Sequence, residues 1–188
     1  MKMNPAQFLL LLCTFCLACS IDSPKEVVDR KRQVEKVAID FFETFAQRAD
    51  WDKFCSFYRD DLVFEDVLLQ IKLDSLWQFK KFYKWDEEGG NFRKLTPEQK
   101  HVEIDALVVN DSMAIGYGHL NPFYYYDQLI EEKWGMKVNF ILYFDDDLKI
   151  KKQVDWIEYH DDVLESVINR YRSQGIEKLP DWLDLSRE

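Results

Sequence analysis

The feature that most constrains this chain is the stretch Trp134 to His160, WGMKVNFILYFDDDLKIKKQVDWIEYH. It predicts two long antiparallel strands joined by a tight acidic turn at Asp145, Asp146 and Asp147. The first strand, Lys137 to Phe144, is apolar or aromatic at nearly every position, the pattern of a strand covered on both faces. The second, Leu148 to Tyr159, alternates. Successive side chains of a strand point to opposite faces, so Ile150, Val154 and Trp156 share one face and Gln153, Asp155 and Ile157 the other. A helix layer packed on the first face leaves the second to line a hollow, with Asp155 inside it.

The rest of the chain is ample for a core around such a hairpin. Its 188 residues suit one domain plus processing segments, and 47% are hydrophobic and 15% aromatic, which argues against disorder. The formal net charge is −10 and no Lys/Arg run stands out. A nucleic-acid partner calls for a basic face, so that class is disfavoured. The acidity itself speaks for solubility rather than for a function.

Residues 1–18, MKMNPAQFLLLLCTFCLA, carry one early Lys and an apolar run too short to span a bilayer stably, which is the make-up of a secretory signal. Cys19 before Ser20 resembles the bacterial lipoprotein signal, whose Cys becomes the acylated first residue, although Cys16 stands where that signal usually has Leu. Ordinary cleavage after Ala18, or a plain apolar leader, is the alternative. Cys13 and Cys16 lie in the leader, so an anchored Cys19 leaves Cys55 alone. Exported domains use cysteines in pairs, and a solitary Cys55 is therefore expected as a buried thiol. No metal-ligand spacing occurs among these residues, and neither metal nor cofactor is expected. The expected location is the cell envelope, membrane-anchored through lipidated Cys19, with 19–33 as linker and start of the first helix.

Ser23-Pro24-Lys25-Glu26 predicts a helix start, with Ser as N-cap and Glu three residues on. That helix is expected to run to Arg48, with a stripe of Val27, Val34, Val37, Phe41 and Phe45 beside Ala38 and Phe42; its polar first turns are expected to stand off the domain. Asp50 caps a short second helix holding Trp51, Phe54, Cys55 and Tyr58. Leu62 to Leu68 reads as a strand with Leu62, Phe64, Asp66 and Leu68 on one face. A third helix opens at Asp74 or Ser75, with Leu76, Phe79, Lys80 and Tyr83 at helical spacing and Trp77 beside them. Asp86 to Pro97 is expected as loop, without phosphate-cradle spacing. Strands Val102 to Val109 and Ser112 to Leu120 follow, the latter with Ile115, Tyr117 and His119 on one face. The Tyr-rich PFYYYDQLIEEK is expected as loop or strand extension. Asp162-x-x-Glu165 predicts a capping box for a last helix, and residues 161–188 form that helix and a tail.

Three places, in this order and spacing, resemble the cone-shaped α+β family that includes nuclear transport factor 2, ketosteroid isomerase, limonene epoxide hydrolase and the SnoaL-like polyketide cyclases. They are FFETFAQRADWDKFCSFYRDD at Phe41 to Asp61, the strand Leu62 to Val67 with Phe64-Glu65-Asp66, and the closing strand Ile150 to Glu158. The chain resembles a SnoaL-like member over 34–160. The resemblance implies an α+β fold in which a strongly curved antiparallel sheet wraps around three N-terminal helices and leaves a conical apolar pocket, with an extra C-terminal helix. It implies that Asp66 matches the proton-transfer base of ketosteroid isomerase, and Asp155 the late-strand acid/base of the cyclases. An apolar cavity disfavours a charged carboxylate and lifts its pKa toward the range of efficient proton transfer. His119 is a third titrating candidate.

Each site residue has a plainer reading. Asp155 can close the cone through a hydrogen-bonded pair, Asp66 can cap a turn, and His119 can be structural. Phe41, Phe45, Tyr58, Trp77, Tyr117 and Trp134 are the candidate pocket lining, and large aromatics are also what sheet-on-helix packing needs. Three aspartates at 145–147 usually make a solvated turn rather than a cation site. Phe41, Phe42 and Phe45 stand where isomerase chemistry wants an oxyanion-stabilising Tyr, which disfavours that activity. The expected function is a lipid-anchored module holding a small apolar ligand; the alternative is a cyclase-, isomerase- or hydrolase-like enzyme using Asp155 with Asp66 or His119. The resemblance also implies pairing through the outer sheet face, with Val138 to Phe144 as a candidate homodimer surface.

Overall fold

A computed structural model describes residues 24–83, 92–125, 127–132, 135–161 and 164–165. The leader, Cys19, the Ser23 cap, Trp134, and Asp162 and most of the last helix lie outside the described residues; Asp161, Leu164 and Glu165 are helical.

Helix α1, Pro24–Gln47, buries Val34, Ala38, Phe41, Phe42, Phe45 and Ala46, an apolar stripe at helical spacing. Val27 and Val28 are exposed, so the buried stripe begins at Val34, about two turns later than its apolar residues suggest. Arg30 ties the helix to two sheet turns, donating to the carbonyls of Asp111, Asp145 and Asp146. The helix ends at Arg48, which takes a left-handed φ of 48°. Asp50 then caps α2, Trp51–Ser56, accepting from the Lys53 amide at 2.8 Å. Cys55 is buried there as a thiol.

Among the described residues nine strands follow in chain order, with one further helix among them. They are β1 (Tyr58–Asp66), β2 (Ile71–Leu73), helix α3 (Leu76–Tyr83), β3 (Phe92–Lys94), β4 (Val102–Val109), β5 (Met113–Leu120), β6 (Phe123–Tyr125), β7 (Gln128–Ile130), β8 (Met136–Phe144) and β9 (Ile150–Ile157). The six-stranded sheet runs β2-β1-β9-β8-β5-β4, and a small sheet runs β3-β6-β7. The architecture is the expected α+β arrangement of a sheet packed on three N-terminal helices. One pair departs from the antiparallel expectation: β1 runs parallel to β9, with Asp66 opposite Asp155 and Phe64 opposite Gln153. The expected loop 86–97 contains β3, and the Tyr-rich segment supplies β6 and β7.

Register assigns every side chain to a face. Gly116 of β5 pairs with Phe140 of β8, which pairs with Asp155 of β9, which pairs with Asp66 of β1. Paired residues of adjacent strands share a face, so this row points inward to the helices. Val138, Phe140, Leu142 and Phe144 are buried on that face, while Asn139, Ile141 and Tyr143 are half-buried on the other, so β8 is not covered equally on both sides. The neighbouring row, Tyr117, Asn139 and Trp156, points outward. Trp156 is 47% exposed. The helices therefore cover the Gln153, Asp155, Ile157 face, not the Val154, Trp156 face expected to carry them. Helix layer and carboxylate share one side because a single concave face receives both.

The approach of α1 to β5 explains a glycine. A Cβ at Gly116 would stand 2.5 Å from Phe42 Cζ, so the ring occupies the space a side chain would need. Between the helices and the sheet the core is largely aromatic: Phe54 stacks on Phe41 at 5.5 Å and Phe45 at 5.3 Å, and Phe79 contacts Tyr58 at 4.7 Å.

Candidate functional site

The parallel β1–β9 pair puts two carboxylates side by side on the inner face. Asp155 and Asp66 are each 1% exposed. Tyr83, on the last turn of α3, donates to Asp155 Oδ2 at 2.8 Å, and Gln153 Nε2 donates to Oδ1 at 2.8 Å. Gln153 in turn accepts from the Tyr58 hydroxyl at 2.7 Å and reaches the Tyr83 oxygen at 3.4 Å. Asp66 Oδ1 accepts from the Leu69 amide at 2.9 Å, and Tyr159 donates to Oδ2. The Asp155 carbonyl also accepts from the Val67 amide at 3.0 Å, stitching the two strands beyond their paired residues.

Burial pushes the Asp155 carboxyl well above the usual carboxylate range, and the charge of Asp66 pushes it further; the bonds from Gln153 and Tyr83 offset only part of this. Burial also raises Asp66, against the bonds from Tyr159 and the local amides. The same burial, with the neighbouring aspartate charges, holds the Tyr58, Tyr83 and Tyr159 hydroxyls protonated well above their ordinary range. Two buried carboxylates this close resist ionising together, so one of them keeps a proton that can be given or taken. The arrangement can serve as a proton reservoir with tyrosine donors around it.

A second polar centre lies at the other side of Phe45, whose ring meets Tyr83 at 6.1 Å and His101 at 5.7 Å. His101 immediately precedes β4 and is anchored by its backbone, its amide donating to Ala46 O and its carbonyl accepting from Asn121 N at 2.9 Å. Its buried ring stands edge-on to Phe92 at 4.6 Å and Phe123 at 6.0 Å. Arg48 lies 3.6 Å over the Phe92 ring and brings Nη1 to 3.4 Å from His101 Nε2. Burial lowers Arg48 to about 9. Burial, then the charges of Arg48 and Lys94, depress His101 well below its ordinary value. Its Nδ1 has no hydrogen-bond partner among the described residues.

Of the residues singled out from sequence, the fold brings Asp155, Asp66 and Tyr58 together, with Phe41 5.9 Å from the Tyr58 ring and Phe45 beside Tyr83. Trp77 is half-buried on α3. Tyr117 and His119 do not join them. Both sit on the outer face of β5, Tyr117 is 41% exposed, and His119 Nδ1 lies 3.5 Å from Asp105 instead. Their shared face was legible; its direction was not. Trp134 lies outside the described residues. Sequence reasoning passed over Tyr83 and Tyr159 as site residues and missed Arg48 and His101 altogether. Tyr83 lies on the helix stripe that the sequence predicts, which is the one local hint it offers. Nothing local marks His101, because the chain segments that enclose it are distant in sequence. Among the described residues no group of three or more His, Cys, Asp and Glu is placed to hold a metal, and no helix is long and apolar enough to cross a membrane.

No family model matches the sequence, and no curated protein matches it significantly. Solved structures do match the fold. A protein named as a SnoaL-like polyketide cyclase from Shewanella denitrificans superimposes with a TM-score of 0.52 at 15% identity, covering 76% of this chain and 98% of that one. Another of the same description from Shewanella putrefaciens gives 0.50 at 13%, covering 85% and 99%. An NTF2-like protein from Anabaena variabilis gives 0.50 at 14%, covering 70% and 92%. At such identities the likeness speaks for the backbone and not for the chemistry. The chain has the α+β cone fold of the SnoaL-like and nuclear transport factor 2-like superfamily.

Proposed function

We propose that this chain is an exported envelope protein, anchored through an acylated Cys19, whose cone-shaped domain holds a small apolar ligand. The observation that carries the ligand reading is Asp155. It faces the helices beside Gln153 and Asp66, on an inner sheet face that also buries Phe64, Val138, Phe140 and Leu142, and burying a carboxyl there is costly unless the group is matched or used. Its tyrosine and glutamine partners preorganise it. The leader-like segment 1–18 and Cys19 before Ser20 support the anchor.

The second reading, an acid/base enzyme, is favoured by one specific feature. Asp66 lies beside Asp155, and both are pushed upward, which suits a carboxyl that must hold a proton near neutrality. Here Asp155 is the acid/base, Asp66 its coupled partner and Tyr83 a donor to charge developing nearby. Fold alone does not choose between the two.

One preparation tests both proposals. Intact mass of the protein extracted from membranes is expected to show a chain beginning at Cys19 and carrying acyl groups; a soluble chain with unmodified Cys19 overturns the anchor. Organic extraction of the same sample is expected to release a low-molecular-weight apolar compound, depleted in Asp155→Asn. Conversion of that compound into a product on re-addition to the wild type, but not to Asp155→Asn, would establish the enzyme instead.

A further inference from the structure

The four carboxyl oxygens of the aspartate pair are not held equally. Asp66 Oδ1 takes the Leu69 amide at 2.9 Å, a bond inside the turn that follows β1. Asp155 Oδ1 takes Gln153 Nε2, and Gln153 is fully buried. Asp155 Oδ2 takes Tyr83, whose ring is wedged among Phe45, Phe54, Phe64, Phe79 and Phe82 with centroids 6.1, 5.9, 5.8, 4.4 and 5.5 Å away. Each of these donors is fixed by backbone or packing. Asp66 Oδ2 differs: among the described residues its partner is the Tyr159 hydroxyl alone. Tyr159 stands two residues beyond the end of β9, past the last sheet bond, Glu158 N to Lys137 O at 2.8 Å. Its own amide turns back to the Ile157 carbonyl at 2.9 Å, so no neighbouring strand holds it. Its side chain is half-buried and makes no ring contact among the described residues. Local opening is easiest where contacts are fewest, so of the tyrosines in the network Tyr159 is the one whose hydroxyl can leave without unpacking the core.

What takes its place must do what it did, which is to donate one hydrogen from a hydroxyl carried on an apolar frame. The charge of the pair belongs on Asp66, because burial and that same charge keep the proton on Asp155. An ionised carboxyl only accepts, so the oxygen that Tyr159 vacates selects a donor and refuses a bare ether, ester or ketone oxygen. We infer that Asp66 Oδ2 is the docking point for the hydroxyl of an apolar alcohol or phenol, which replaces the Tyr159 hydroxyl there. This deepens the ligand-holding reading above and rests on it. Tyr159 is the latch that such a ligand lifts, at the cost of one internal bond that its own hydroxyl restores.

The test uses the full chain with p-cresol and toluene, which are the side chains of tyrosine and phenylalanine and differ in one hydroxyl. p-Cresol is expected to bind the wild type about tenfold more tightly than toluene, the scale of one hydrogen bond to a charged group. Tyr159→Phe keeps the ring and removes the competing hydroxyl. It is therefore expected to bind p-cresol about fivefold more tightly than the wild type does, because no internal bond has to be broken first. Equal binding of both probes to the wild type overturns the inference and leaves the ligand-holding cone standing. A preference for p-cresol whose affinity stays within about twofold in Tyr159→Phe also overturns it, since the hydroxyl then docks elsewhere. Binding of neither probe at millimolar concentration overturns both readings. Should Tyr159→Phe fail to fold, the carboxyl-carbon NMR signal of Asp66 in the wild type decides: a shift on adding p-cresol supports the inference, and an unmoved signal overturns it.

Discussion

The two buried polar centres flanking Phe45 are built to opposite rules. Around Asp155 the named polar groups close on one another: both oxygens of Asp155, both of Asp66, both ends of Gln153 and the three tyrosine hydroxyls have protein partners. Around His101 one donor is left over. The closed centre grows out of regular strand register, where Asp66 and Asp155 are paired residues and Gln153 is two residues away on the same face. The open centre forms where the end of α1, the start of β4 and the small sheet meet, with no ladder to dictate partners. The difference separates two uses of buried polarity. A closed network fixes one conformation, and a ligand must displace an internal bond to use it.

Breaking the closed network is expected to have the largest effect. Gln153 is fully buried and links Tyr58, Tyr83 and Asp155. Gln153→Ala leaves those groups short of partners and opens a cavity, and should cost about 3 kcal/mol in denaturant unfolding. Asp155→Asn, which keeps the shape and resembles the protonated acid, should cost within about 1 kcal/mol. Similar losses for both would mean that the network is not a unit.

Next in size is a difference in pH response. Asp155 has a raised folded-state pKa, so the folded chain holds a proton that the unfolded chain releases above about pH 4. Its contribution is present at low pH and is lost as pH rises toward the folded value. His101 has a depressed folded-state pKa, so the unfolded chain takes a proton first, below about pH 6.5. Its contribution is present above that pH and lost as pH falls toward the folded value. Between about pH 4 and 6.5 the two slopes oppose each other. Asp155→Asn should therefore make stability rise more steeply with pH, and His101→Phe should make it rise less, each by up to about 1.4 kcal/mol per pH unit. Chemical unfolding across that range measures both; parallel curves would show that neither group titrates differently on folding.

The smallest effect sharpens the boundary of the closed centre. Tyr159 donates to Asp66 from just beyond β9. Tyr159→Phe should cost about 1 kcal/mol. It should also move the apparent titration of the aspartate pair upward, because it removes a bond that favours the Asp66 carboxylate. No change in that titration would place Tyr159 outside the network.

Much of this molecule is determined by its sequence alone. The apolar stripe of α1, the Asp50 cap, the β8–β9 hairpin and the face shared by Leu62, Phe64 and Asp66 follow from local physics, since a 3.6 or 2.0 period and a capping side chain act within a few residues. So does the sorting of Gln153, Asp155 and Ile157 onto one face. What periodicity lacks is a sign: it says which residues travel together, not which way they turn. The fold turned Asp155 inward under the helices and Tyr117 and His119 outward. The strands β2, β3, β6 and β7, three residues each, are too short to show a period, and exist because neighbours supply their hydrogen bonds. The pairing of Asp66 with Asp155, and the meeting of Arg48 with His101 across 53 positions, are tertiary decisions. Long-range contacts are chosen by global packing, and no local stretch carries them.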